Sequence, residues 1–144
     1  MREWSVNTFM KTDKQSPQIL NDFLAYLYTV KGKSQKTAHE YYLDLRMFFR
    51  FIKQQRGLAD DIPFDEIPIT DIDIEFIRTI TLSDAYAFLM YTAQDRLKHN
   101  NSDHSDVGLL STSRARKVSA LRSFFKYLTD KAHLLSHNPI QNLE

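Results

Sequence analysis

The sequence predicts an all-α chain, and three observations carry that expectation. Its 144 residues contain only three glycines and four prolines. Those breakers, Gly32, Gly57, Gly108, Pro17, Pro63, Pro68 and Pro139, stand at intervals and leave long uninterrupted stretches. Helices favour such stretches and many-turned sheets do not. Within them, apolar residues return every three or four positions. The one partial strand pattern, Ile67 to Ile74, is interrupted by Pro68, which a strand tolerates poorly.

A first helix starts at Ser16, with Pro17 at its first position and Gly32 closing it. Ile19, Phe23, Leu24, Leu27 and Val30 mark its inner side. A second helix takes Ser34 as its cap and runs to about Gln55, with Gly57 beyond and a stripe of Tyr41, Leu45, Phe48, Phe49 and Ile52. An acidic, proline-marked connection, Leu58 to Thr70, leads to a short helix over Ile72 to Arg78. A further helix is expected from about Ser83 to Lys98, with Ala85, Phe88, Leu89 and Thr92 inward. His99 to Gly108 reads as a polar loop. The last long helix is placed from Ser111 or Thr112 to about Asp130, with Val118, Leu121, Phe125 and Leu128 inward. Residues 1–15 have weak patterning and are expected to be a flexible lead-in. Residues 16–137 form the helical domain, and 138–144 a linker.

Composition bounds the chemistry. The chain has no cysteine, which removes disulfides, thiol nucleophiles and cysteine-containing zinc sites and fits a reducing, cytoplasmic setting. No apolar run reaches the length of a spanning helix, and no signal-peptide pattern opens the chain, so no membrane partner is expected. Three isolated glycines cannot build a phosphate loop or a dinucleotide fingerprint. His133 and His137 are four apart without further clustered ligands, and His99 and His104 lie in a polar stretch. Neither a metal nor a cofactor is expected. No complete active site is found, so the chain alone is not expected to be an enzyme.

The net charge of +1 is a sum of opposites. Lys31 to Arg56 holds seven cations against two carboxylates, a net +5. Gly57 to Tyr86 holds one cation against eight, a net −7. Ser111 to Glu144 holds six against two, a net +4. Two basic helices could share a positive face suited to phosphate backbones, although solvated helix surfaces carry such charge routinely. Position favours the first reading. Lys31, Lys33 and Lys36 flank Ser34, and Arg114, Arg116 and Lys117 fall in the expected first turns of the last helix. Cations there oppose the helix dipole, while an anion is welcome at a helix start. Gln35, Thr37, His39, Thr112, Ser113 and Ser119 could add contacts to phosphates or base edges. Capping is the competing use of Thr112 and Ser113, of which only one can be the cap.

Two motifs stand together. Ser34-Gln35-Lys36-Thr37 is followed by Tyr41, Asp44-Leu45, Phe48 and Phe49. Ser113 to Leu128 reads SRARKVSALRSFFKYL and is followed by Asn138-Pro139. This pair resembles the N-terminal core-binding domain of tyrosine recombinases, the phage-integrase and Xer-type family, over roughly Pro17 to Glu144. The resemblance implies a SAM-like fold, a compact orthogonal bundle of four to five helices, gripping double-stranded DNA at a recombination half-site. It implies partners in a C-terminal catalytic domain and in sister protomers, and a nucleoid-associated location. That second domain would carry the nucleophilic tyrosine and form a 3′-phosphotyrosyl link. None of the seven tyrosines here is expected to be that nucleophile. Tyr41 and Tyr127 are expected to pack with their hydroxyls at the rim. Carried over by motif, the DNA-facing positions are Lys36, Thr37 and Tyr41 on one helix and Arg114, Arg116 and Lys117 on the other. Lys33, Gln35, Thr112 and Ser113 complete the expected set. Departing from compact members of the family, the connector from Leu58 to Glu75 is long and acidic. A helical protein-interaction domain and a helix-turn-helix regulator remain as other readings, the latter lacking the compact turn between recognition helices.

Overall fold

The computed structural model describes residues 16–99 and 106–143, and the side chains of 16–94 and 112–143. The expected lead-in over 1–15 and most of the polar stretch 99–108, His104 included, lie outside the described residues. The described residues form five α-helices and no strand. These are α1 (Gln18–Thr29), α2 (Gln35–Gln55), α3 (Ile74–Ile77), α4 (Leu82–His99) and α5 (Asp106–Lys126). A 3-10 turn covers Phe64–Glu66, and a π-helical turn, Tyr127–Lys131, prolongs α5. The chain divides into two compact units, Met1–Arg78 and Thr79–Glu144.

In the first unit α1 packs against α2. Pro17 proves to be the residue before α1, in extended conformation, and not its first helical residue. Its carbonyl accepts the N–H groups of Leu20 and Asn21 at 3.1 and 3.0 Å. The helix buries Leu20, Phe23, Leu24 and Leu27. Gly32 then takes φ +66°, a conformation glycine adopts without a Cβ penalty. This lets the Lys33 N–H reach the Leu27 carbonyl at 2.9 Å.

Ser34 caps α2 as expected, its hydroxyl accepting the Thr37 N–H at 3.1 Å. The other end closes at Gly57, φ +68°. There the N–H groups of Gly57 and Leu58 satisfy the carbonyls of Gln54 and Lys53, the Schellman arrangement. The buried stripe differs from the expected one by a residue. Tyr42, not Tyr41, lies in the core with Leu45, Phe48, Phe49 and Ile52. From Phe48 to Lys53 every residue of α2 is buried, the signature of a helix covered on all sides. The cover on the far side is the connector. It returns along α2 and buries Ile67, Ile69, Ile72 and Ile77. Asp73 caps the short α3 by accepting the Phe76 N–H at 2.9 Å.

In the second unit α4 packs against α5. It opens with a reciprocal cap, because Asp84 accepts the Thr81 N–H at 2.9 Å while Thr81 accepts the Asp84 N–H at 3.2 Å. Ala85, Phe88 and Thr92 are buried as expected and Leu89 is half-buried. On α5 the buried side consists of Lys117, Ala120, Leu121, Phe124 and Phe125, with Leu128 beyond. Phe124 and Phe125 meet edge to face at 5.5 Å. Two residues past the π-turn, His133 takes φ +54°, which lets the Leu134 N–H reach the Leu128 carbonyl at 2.8 Å. Residues 138–143 are tied down rather than extended. Asn138 accepts the Ile140 N–H at 3.0 Å, and Ile140 and Leu143 are buried.

The start of the last helix is a correction. It begins at Asp106, not at Ser111 or Thr112. Gly108, expected at the end of the polar loop, lies inside the helix. A glycine inside a helix costs only about 1 kcal/mol, which packing over a helix of 21 residues can offset.

Candidate nucleic-acid interface

The start of α2 is built from local chemistry. The positive φ of Gly32 turns the chain, and Ser34 fixes the first turn. Lys31, Lys33, Gln35 and Lys36 are exposed around this turn. None of the three lysines forms an ion pair among the described residues. The charge of the helix end is therefore directed at solvent, and the free N–H groups of the first turn add to it. Thr37 is half-buried and partly engaged. Its hydroxyl accepts from Ser34 Oγ at 3.1 Å and keeps its own proton to donate outward. Tyr41, four residues on, is half-buried on the same side of the helix. An anion meeting this end would find three ammonium groups, two hydroxyls and an amide without displacing any internal ion pair.

The other cations of α2 are engaged within the fold. Arg50, 9% exposed, donates from Nε to the Ile67 carbonyl at 3.0 Å. Lys53, 6% exposed, donates from Nζ to the Pro68 carbonyl at 2.7 Å and to Asp71 Oδ1 at 2.5 Å. The Arg56 guanidinium lies over the Phe76 ring, 5.2 Å from its centroid, a cation–π contact. Arg46 lies over the Tyr42 ring at 5.4 Å. The sequence counts all seven cations of this segment as one basic surface; the structure divides them.

On α5 the expected set also divides. Thr112 and Ser113 are the seventh and eighth residues of the helix, so neither is its cap. Arg114, Arg116 and Lys117 lie beyond its first two turns, and the helix-start argument does not apply to them. Thr112 and Arg114 are exposed, and Ser113 and Arg116 half-buried. Lys117 is 6% exposed and donates from Nζ to Ser113 Oγ at 3.3 Å. It shares the inward side with Ala120 and Phe124, three and seven residues on. Exposed Ser119, Arg122 and Lys126 form an outward row instead, with Lys126 3.8 Å from Asp130. The expected set omits Arg122, although its spacing of three and four from Ser119 and Lys126 was a legible signal. Lys33, Gln35, Lys36, Thr37 and Tyr41 belong to the first unit, and the α5 residues to the second.

No group of three or more metal-ligating side chains comes together among the described residues. No described helix is long and apolar enough to cross a membrane.

Comparison with known proteins decides the family. Over 149 aligned positions covering the whole chain, it is 44% identical to a tyrosine recombinase XerC of Caldanaerobacter subterraneus. The chain belongs to the Xer-type tyrosine recombinases. A Listeria monocytogenes tyrosine recombinase XerD is 28% identical over 88% of the chain. A Lactococcus lactis tyrosine recombinase XerS is 31% identical over 68% of it. The chain spans 39%, 33% and 25% of these relatives' lengths. No protein-family model and no solved structure matches it. For the Xer-type family the all-α architecture fits the expected core-binding domain.

Proposed function

We propose that this chain is the DNA-binding module of a Xer-type site-specific recombinase, meeting a half-site in duplex DNA through the start of α2 and the exposed polar and cationic residues of α5. The observation that carries the reading is the trio Lys31, Lys33 and Lys36, exposed and without ion pairs among the described residues at a capped helix start, while other cations of the same helix are engaged internally. On α5 the contributing residues are Thr112 and Arg114, with Ser113 and Arg116 at the rim. Strand cleavage and rejoining then belong to a C-terminal catalytic domain outside this chain. That domain and sister protomers are the protein partners, and the setting is the cytoplasmic nucleoid.

Duplex binding measured against salt tests this reading. Each phosphate neutralised contributes a log–log slope of about −0.9. Replacing Lys33 or Lys36 by Ala is expected to reduce the slope by about one. Lys117→Ala, whose ammonium is turned inward, is expected to leave the slope unchanged. Absence of binding at low salt by the folded chain overturns the proposal.

One observation favours a protein contact elsewhere on the molecule. Tyr86 and Met90 are exposed and one turn apart on α4. Such a pair suits a partner surface, and a sister protomer is the partner consistent with the first reading.

A further inference from the structure

The acidic connector has no part in the reading above, although it carries most of the chain's uncompensated negative charge. Its placement is defined by contacts. Arg46, Arg50 and Lys53 recur at spacings of four and three, a single row along α2. Such a row is what a duplex lying lengthwise on the helix would need for its phosphates. Two of the three are already met by oxygens of the connector. Ile67 O stands at Arg50 Nε, 3.0 Å away, and Pro68 O and Asp71 Oδ1 stand at Lys53 Nζ, at 2.7 and 2.5 Å. Phe76 covers Arg56 in the same way. The oxygens occupy the places that phosphate oxygens would take. Ahead of these contacts the connector leaves the end of α2 with Asp60, Asp61, Asp65 and Glu66 all exposed.

We propose that the connector acts as an internal phosphate mimic, taking the C-terminal half of α2 away from DNA so that α2 itself meets the duplex only at its start. The inference rests on the DNA-binding reading and adds a direction to it. Lys36 and Lys53 lie about 25 Å apart along the helix axis at about 1.5 Å per residue. That separation is about three Debye lengths at physiological salt. At that salt a charge beside Lys53 is therefore largely screened from a phosphate at the lysine end. The effect of the carboxylates is local, repelling a duplex that tilts along the helix. Non-specific lengthwise binding is suppressed, and the mounting of the module on its half-site gains a fixed sense.

The experiment compares the full chain with a variant carrying Asp60→Asn, Asp61→Asn, Asp65→Asn and Glu66→Gln. All four side chains are exposed, where substitutions leave stability nearly unchanged. Asn also tolerates the φ of +66° at Asp61. Because the chain has no cysteine, Leu58→Cys, at an exposed position beside the carboxylates, can carry a tethered iron chelate in both backgrounds. The probe ligand is a mixed-sequence duplex of about three helical turns. At about 50 mM salt the neutralised chain is expected to bind it about tenfold more tightly, with the gain shrinking as salt rises. Chelate cleavage of the duplex is expected to be weak in the parent and strong in the variant. Equal affinity and equal cleavage in two chains that both bind overturn this inference and leave the DNA-binding reading standing. If neither folded chain binds at low salt, the DNA-binding reading falls and takes this inference with it.

Discussion

At the start of α2, Lys31, Lys33 and Lys36 stand in solvent around a serine-capped turn. At its other end Arg50, Lys53 and Arg56 hold two connector carbonyls, a carboxylate and an aromatic ring. Both ends belong to one helix and both look basic on paper. They differ because, among the described residues of this unit, the connector covers one end and the lysines of the other stay exposed. A cation engaged by the fold contributes to stability and little to binding. A cation left in water does the reverse, since an exposed charge adds little to folding. Charge counted by segment therefore overstates the surface available to a partner by the cations that the fold itself uses.

The sharpest way to break this comparison is to remove a side chain from the covered end. Arg50→Ala deletes a packed stem and leaves the Ile67 carbonyl without that donor. A loss of about 3 kcal/mol is expected in urea unfolding, and a loss below about 0.5 kcal/mol would mean the connector is not held there. Lys53→Met keeps most of the volume and removes only the ammonium. Thermal unfolding should report about 2 kcal/mol, because the Pro68 carbonyl then has no ammonium partner. Gly32→Ala concerns the turn that presents the lysines. A Cβ there would meet nothing within 4 Å, so the expected cost of about 1 kcal/mol comes from the positive φ alone. Asp71→Asn keeps the Pro68 contact and weakens an ion pair whose acid is 70% exposed. About 0.5 kcal/mol is expected, fading at high salt. Smallest in stability is Lys36→Ala, within about 0.5 kcal/mol. The same variant is expected to reduce the salt dependence of DNA binding, as Lys53→Met, at an ammonium already engaged by the fold, should not. A stability loss at Lys36 equal to that at Lys53 would erase the distinction between the two ends.

Local features were legible without the structure. Ser34 as cap, Gly57 as stop and the buried pattern of Phe48, Phe49 and Ile52 follow from chemistry within a few residues of each position. The family motifs were legible for the same reason, as short strings of residue types. The failures are of another kind. Gly108 looked like a boundary because its helix penalty is visible in the sequence and the packing that offsets it is not. Tyr41 and Tyr42 are adjacent, and a period of 3.6 residues does not separate neighbours at the edge of a stripe. Lys117 enters the expected set through the motif and the expected helix start, and the helix in fact begins at Asp106. The place of Lys117 on the side of Ala120 and Phe124 was readable from spacing, but its bond to Ser113 was not. At the candidate site, the Ser34 cap and the exposure of the lysines around it follow from local sequence, whereas the α5 residues were placed by a helix start that the structure moves to Asp106.

Residue order settled the all-helical class, most helix ends and the sorting of charge into basic, acidic and basic segments, because each depends on propensities and caps acting over a few positions. Which cations remain available was settled by contacts between residues far apart in the chain. Arg50 meets Ile67 and Lys53 meets Asp71, separations of 17 and 18 residues. No propensity encodes such a meeting. It arises when Ile67, Ile69 and Ile72 leave water on the far side of α2 and bring the connector's oxygens within reach of the arginine and lysine there.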